Sequence, residues 1–157
     1  MAVQAPSAPY ERTLLALDFD EASKSAAGAA LTMGIFEHTE VIVMHGFDAP
    51  AEGMLKRSLE TPAAVDEYVA DERGIAMQKL HGLVRELGFP ASGQHVAAIN
   101  GTPARSILES AQGENAHLVV LGTNQRKGFE RLLIGSVTED VIKDAHRDIL
   151  IVPIDED

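Results

Sequence analysis

Residues 118–154, LVVLGTNQRKGFERLLIGSVTEDVIKDAHRDILIVPI, place two short apolar runs on either side of a helix-length segment. Leu118 to Leu121 and Ile149 to Val152 are unbroken apolar runs of Leu, Ile and Val. They are too short for helices and suit parallel strands buried on both faces. Between them Ser136, with Glu139 three residues on, reads as a capping box that predicts a helix to about Ala145. Strand, crossover helix and strand make one right-handed parallel unit. Its carboxyl-end turn is the glycine-punctuated segment from Gly122 to Ser136.

The pattern extends upstream. Leu14 to Leu17 and Val41 to Met44 are two further strand-like runs, and His95 to Ile99 is a weaker one suited to a sheet edge. Asp20 caps a predicted helix over 21–35 that ends near Gly34, and Thr102 followed by Pro103 opens another to about Gln112. Leu59 to Leu87 reads mainly as one long helix ending at Gly88. Asp48 to Ser58 shows no clear period and reads as a loop. The alternation predicts an α/β fold: a doubly wound, five-stranded parallel sheet with helices on both faces. Ligands of such sheets bind beyond the carboxyl ends of the strands, where strand order reverses. That rule selects Asp18 to Asp20, His45 to Asp48, Asn100 to Thr102 and Gly122 to Ser136.

Composition narrows the function classes. The chain of 157 residues is 45% hydrophobic and 24% charged, which suits one soluble domain, and no apolar stretch nears the roughly 20 residues of a membrane span. Residues 1–11 read as a flexible leader with no secretory pattern, residues 12–154 as the single domain, and residues 155–157 as a solvated acidic tail. A cytoplasmic location is expected. Thirteen basic against 24 acidic residues, net −11, argue against a nucleic-acid surface. The absence of cysteine excludes disulfides and thiolate metal sites, and six histidines without an i, i+4 pair argue against zinc.

The segment after Leu121 runs against the acidic background. Arg126, Lys127 and Arg131 outweigh Glu130, and the first turn of the following helix presents free amides and a positive dipole end. Gly122 and Gly135 would admit an anion to the backbone, and Ser136 would donate its hydroxyl, which outlines a phosphate site. The same residues equally suit a helix start that needs no ligand. A Walker loop is excluded because Phe129 follows Gly128, and a dinucleotide fingerprint because the first strand ends in Leu17-Asp18-Phe19-Asp20. No serine sits in a nucleophile elbow, and His45 reads as a hydrogen-bonded structural residue.

Residues 118–154 resemble the carboxyl-terminal half of the universal stress protein family, whose nucleotide loop reads G, two residues, G, nine residues, G, then S or T. Twelve residues separate Gly122 from Gly135, as in that loop. RTLLALDFDEAS at 12–23, VIVMHGFDAP at 41–50 and GTPARSIL at 101–108 agree as well. The resemblance implies strand order 3-2-1-4-5 and an adenine nucleotide, ATP or AMP, across the switch point between the first and fourth strands. It implies Ala16 and Asp18 beside the adenosine, the Gly46 backbone at the adenine edge, and Gly122, Gly135, Ser136 and Val137 at the phosphates. Gln125 stands where nucleotide-binding members have their second glycine. Asp20, often serine in the family, is an equivalent cap and with Asp18 offers oxygens to Mg²⁺. The resemblance also implies a homodimer through the last strand, Ile149 to Ile154, whose Pro153 limits the length of pairing.

The expected function is that of a cytoplasmic, ATP-binding stress sensor or regulator. The alternative is a dimeric protein-interaction module of the same fold in which Gln125 has ended nucleotide binding. Slow ATP hydrolysis ranks behind both, because no base or water-orienting residue is evident.

Overall fold

The computed structural model describes residues 10–58, 61–88, 91–99, 101–125 and 135–155, with the side chains of 124, 125, 154 and 155 excepted. Five strands, β1 (Arg12–Ala16), β2 (Glu40–Phe47), β3 (Gly93–Ala98), β4 (Leu118–Gln125) and β5 (Asp148–Asp155), form one sheet in the order β3-β2-β1-β4-β5. Every pairing is parallel. Sequence and structure agree on the α/β class and on the strand order. β3 and β5 are the edges, and the order reverses between β1 and β4.

Among the described residues the helices α1 (Glu21–Thr32), α2 (Glu52–Arg57), α3 (Pro62–Leu87), α4 (Pro103–Gly113) and α5 (Ser136–Asp144) lie between the strands. Leu15, Val41, Val43, Val96 and Val120 face one core with Ala26, Ala30, Leu80 and Leu83, from α1 and α3. Leu14, Ile42, Met44, Val119 and Leu121 face the other, with Ala104 and Ile107 of α4 and Val141 of α5. Alternation along β1 therefore sends neighbouring leucines, both fully buried, to opposite cores. Each such side chain contributes about 1.5–3 kcal/mol of burial.

The helix boundaries follow their local chemistry. Asp20 caps α1, its carboxylate accepting the Ser23 N–H at 2.8 Å. Thr61 and Thr102 cap α3 and α4, each with proline next in the chain. Gly88 closes α3 at φ 65°, a left-handed conformation that glycine adopts without steric cost.

Four expectations are corrected. Asp48 to Ser58 is not all loop, because α2 lies within it; none of its residues is buried, so it leaves no apolar period in the sequence. The long helix starts at Pro62, after its cap, and not at Leu59. The capping box at Ser136 does not form: Gly135 is the cap residue, Ser136 is the first helical residue, and Glu139 turns to Lys143 at 3.2 Å. β4 does not end at Leu121 but pairs with β5 as far as Gln125 opposite Asp155. Among the described residues no helix is long and apolar enough to cross a membrane.

Candidate functional site

The reversal between β1 and β4 opens a cleft of about 900 Å³ above the carboxyl ends of the strands. Its first wall is the turn from β1 into α1. The Asp18 N–H donates to Ser23 Oγ at 2.9 Å, and the Asp18 carboxylate accepts the Phe19 N–H at 2.9 Å. Ser23 is also the residue whose amide Asp20 caps, so one buried serine fixes both ends of the turn. Asp18 itself is exposed, with its carboxylate at the cleft.

The second wall is the end of β2. His45 is buried, and its Nδ1 lies 2.9 Å from the Leu17 carbonyl. A carbonyl only accepts, so Nδ1 carries the proton and His45 links β1 to β2. Phe19 covers the imidazole with ring centroids 4.2 Å apart. Gly46 is bare because Ile99 fills the space beside it: a Cβ there would meet Ile99 Cγ1 at 3.1 Å.

The third wall joins β4 to α5. At Gly122 a Cβ would lie 2.8 Å from the Ala22 carbonyl oxygen and 3.0 Å from the Ala26 Cβ, so this glycine admits the backbone of α1. At Gly135 the contact a Cβ would make among the described residues is with Thr123 Oγ1, at an ordinary 3.7 Å. The Gly135 N–H donates to that hydroxyl at 3.3 Å. Helix geometry leaves the amides of Gly135, Ser136, Val137 and Thr138 without intrahelical partners, and the first true helix bond runs from Glu139 N–H to the Gly135 carbonyl. Thr123 takes one of the four. Among the described residues the other three have no partner, and with the positive end of the α5 dipole they suit an anion.

Ala16, Asp18, Gly46, Gly122, Gly135, Ser136 and Val137 thus line one cleft, although they come from four separate stretches of chain. Gln125 ends β4 beside Asp155. Its side chain, Asn100, and the segment with Arg126, Lys127, Gly128, Glu130 and Arg131 lie outside the described residues. Sequence reading missed Ser23, Thr123, Ile99 and the α3 wall of Glu72, Ile75 and Lys79. Ile99 closes an apolar run and Thr123 follows a glycine, which are faint signals. The α3 residues give none, because only tertiary packing brings the middle of that helix to the cleft.

Charge in the described lining comes from four carboxylates, Asp18, Asp20, Asp48 and Glu72, against the amine of Lys79. Among the described residues, anion donors on this rim are therefore mainly backbone amides and hydroxyls. Among the described residues no group of three or more His, Asp or Glu side chains is arranged to hold a metal.

The profile of the universal stress protein family matches residues 9–153. A universal stress protein of Methanocaldococcus jannaschii is 31% identical over 149 residues, covering 91% of this chain and 82% of that protein. The solved structure of a second protein of that name from the same organism has a TM-score of 0.67 at 23% identity, covering 96% of this chain and all of the other. The Archaeoglobus fulgidus universal stress protein in complex with dAMP has a TM-score of 0.51 at 20% identity, with 92% and 98% covered. A universal stress protein in complex with cAMP has 0.57 at 17%, with 93% and 98% covered. A match along nearly the whole chain, a relative above 30% identity and a shared fold place this chain in the universal stress protein family.

Proposed function

We propose that the cleft binds an adenine nucleotide, with ATP as the expected ligand, and that the protein is a cytoplasmic stress-response sensor whose bound state changes its partners. One observation carries the reading: the first-turn amides of α5, three of them without a partner among the described residues, share a single cleft with the apolar rim of Ala16, Gly46 and Ile99. The first suits phosphate oxygens, and the second suits a flat base. Two relatives of this fold hold adenine nucleotides, dAMP in one and cAMP in the other, which supports the choice of base.

In this reading Asp18 lies beside the adenosine, the Gly46 backbone meets the adenine edge, and Gly122, Gln125, Gly135, Ser136 and Val137 surround the phosphates. Asp20 is committed to the α1 cap, so a Mg²⁺ ion would arrive with the triphosphate instead of being held beforehand. Partner choice would follow from the nucleotide's effect on the surface around the cleft.

The test is the melting temperature of ligand-stripped protein with ATP and Mg²⁺. At a hundredfold excess over Kd, binding adds about 2.7 kcal/mol, which for a chain of this size raises Tm by about 5–10 °C. Gly135→Val should abolish the rise, because its side chain would enter the phosphate space. Binding that appears only in Gln125→Gly would instead favour the interaction-module reading for the natural chain.

A further inference from the structure

We propose that Thr123 is a positioning residue for the phosphate end of the cleft; the inference rests on the nucleotide reading above. Thr123 is 5% exposed and sits on β4 immediately after Gly122. Its Oγ1 accepts the Gly135 N–H at 3.3 Å, across twelve positions of sequence. That bond joins β4 to the residue that caps α5.

The anchor on the strand side is held by close packing. Gly122 lies under α1 so closely that a Cβ would meet the Ala22 carbonyl at 2.8 Å, which fixes the β4 backbone against α1. The same helix holds the Asp18 turn through Ser23. Asp18, α1, Gly122, Thr123, Gly135 and α5 therefore form one chain of contacts that sets the adenosine wall and the phosphate wall in a fixed relation. Gly135 has no side-chain cap of its own and is exposed, so the hydroxyl of Thr123 is its fixed tether among the described residues. Without it the first turn of α5 is free to fray, and ordering it again would be charged against phosphate binding.

Thr123→Val keeps the shape and removes the acceptor. ATP affinity should fall about five- to tenfold, the scale of one hydrogen bond, while adenosine affinity stays within about twofold. Thr123→Ser, which keeps the hydroxyl, should restore the ATP value. Equal loss for ATP and adenosine, or failure of serine to restore binding, would make Thr123 a packing residue and overturn the proposal. Wild-type protein that binds ATP no better than adenosine would instead defeat the phosphate site on which the proposal rests. Amide hydrogen exchange of wild-type protein without ligand serves if the valine variant does not fold. The Gly135 N–H should be at least tenfold more protected than that of exposed Ser136, and equal exchange would overturn the clasp.

Discussion

Two glycines of one motif have different physical reasons to be glycine. Gly122 is set by packing: a Cβ would drive into the Ala22 carbonyl and the Ala26 methyl, neither of which can swing aside. Gly122→Ala should cost about 1–3 kcal/mol in denaturant unfolding, with or without nucleotide. Gly135 is at φ −59° and ψ 153°, where any residue fits, and among the described residues a Cβ would find ordinary space. Gly135→Ala should leave stability within about 0.5 kcal/mol and still weaken ATP binding. Equal destabilisation by the two variants would contradict this division of roles. Sequence spacing marked both glycines but could not separate them, because the difference lies in what α1 does to β4 across nearly a hundred residues. The place of Gly46 in the cleft was legible from its position at a strand end; that Ile99 keeps it bare was not.

At the scale of elements, α1 organises the site. Its buried face is alanine at 22, 26, 27 and 30, which lets it lie close on the sheet. Its cap orders the Asp18 turn, and Lys24 ties it to α3 through Glu86 at 3.6 Å. Asp20→Ala should cost about 1 kcal/mol, whereas Asp20→Asn, an equivalent cap, should leave both stability and Mg²⁺-dependent ATP affinity unchanged. A loss of Mg²⁺ dependence in the asparagine variant would show that Asp20 serves the metal and not the helix. Strands and long helices were legible because each buries a continuous apolar face. α2 was not, since it buries nothing, and the start of α5 was displaced by one residue because glycine took the cap that serine was expected to fill. A capping box is only an invitation, and Glu139 accepted Lys143 instead.

The whole molecule is tied across its sheet by Tyr10, whose hydroxyl donates to the Asp148 carboxylate at 2.8 Å and so joins the entry to β1 with the start of β5. Burial first, then this bond and the Asp148 charge, raise the Tyr10 pKa above 10.0. A raised folded-state pKa means that the contribution is complete below the unfolded value and is lost as pH climbs through the folded one. Ultraviolet titration of Tyr68→Phe, which leaves Tyr10 as the only tyrosine, should show ionisation above 10.0 in folded protein and a return to the ordinary value in denaturant. β5 presents half-buried Ile149, Leu150 and Ile151 at a sheet edge, the arrangement a partner strand would cover. We expect sedimentation to give twice 16.8 kDa, and Ile151→Lys to return the chain to monomer. Titration calorimetry of stripped protein with ATP and Mg²⁺ decides whether the cleft at the strand reversal is an adenine-nucleotide site. Saturable binding near one nucleotide per chain, lost in Gly135→Val, is the result predicted. No heat, together with an unchanged Tm at millimolar ATP, would mean that the glycines serve the fold alone and that function resides in the protein's surfaces.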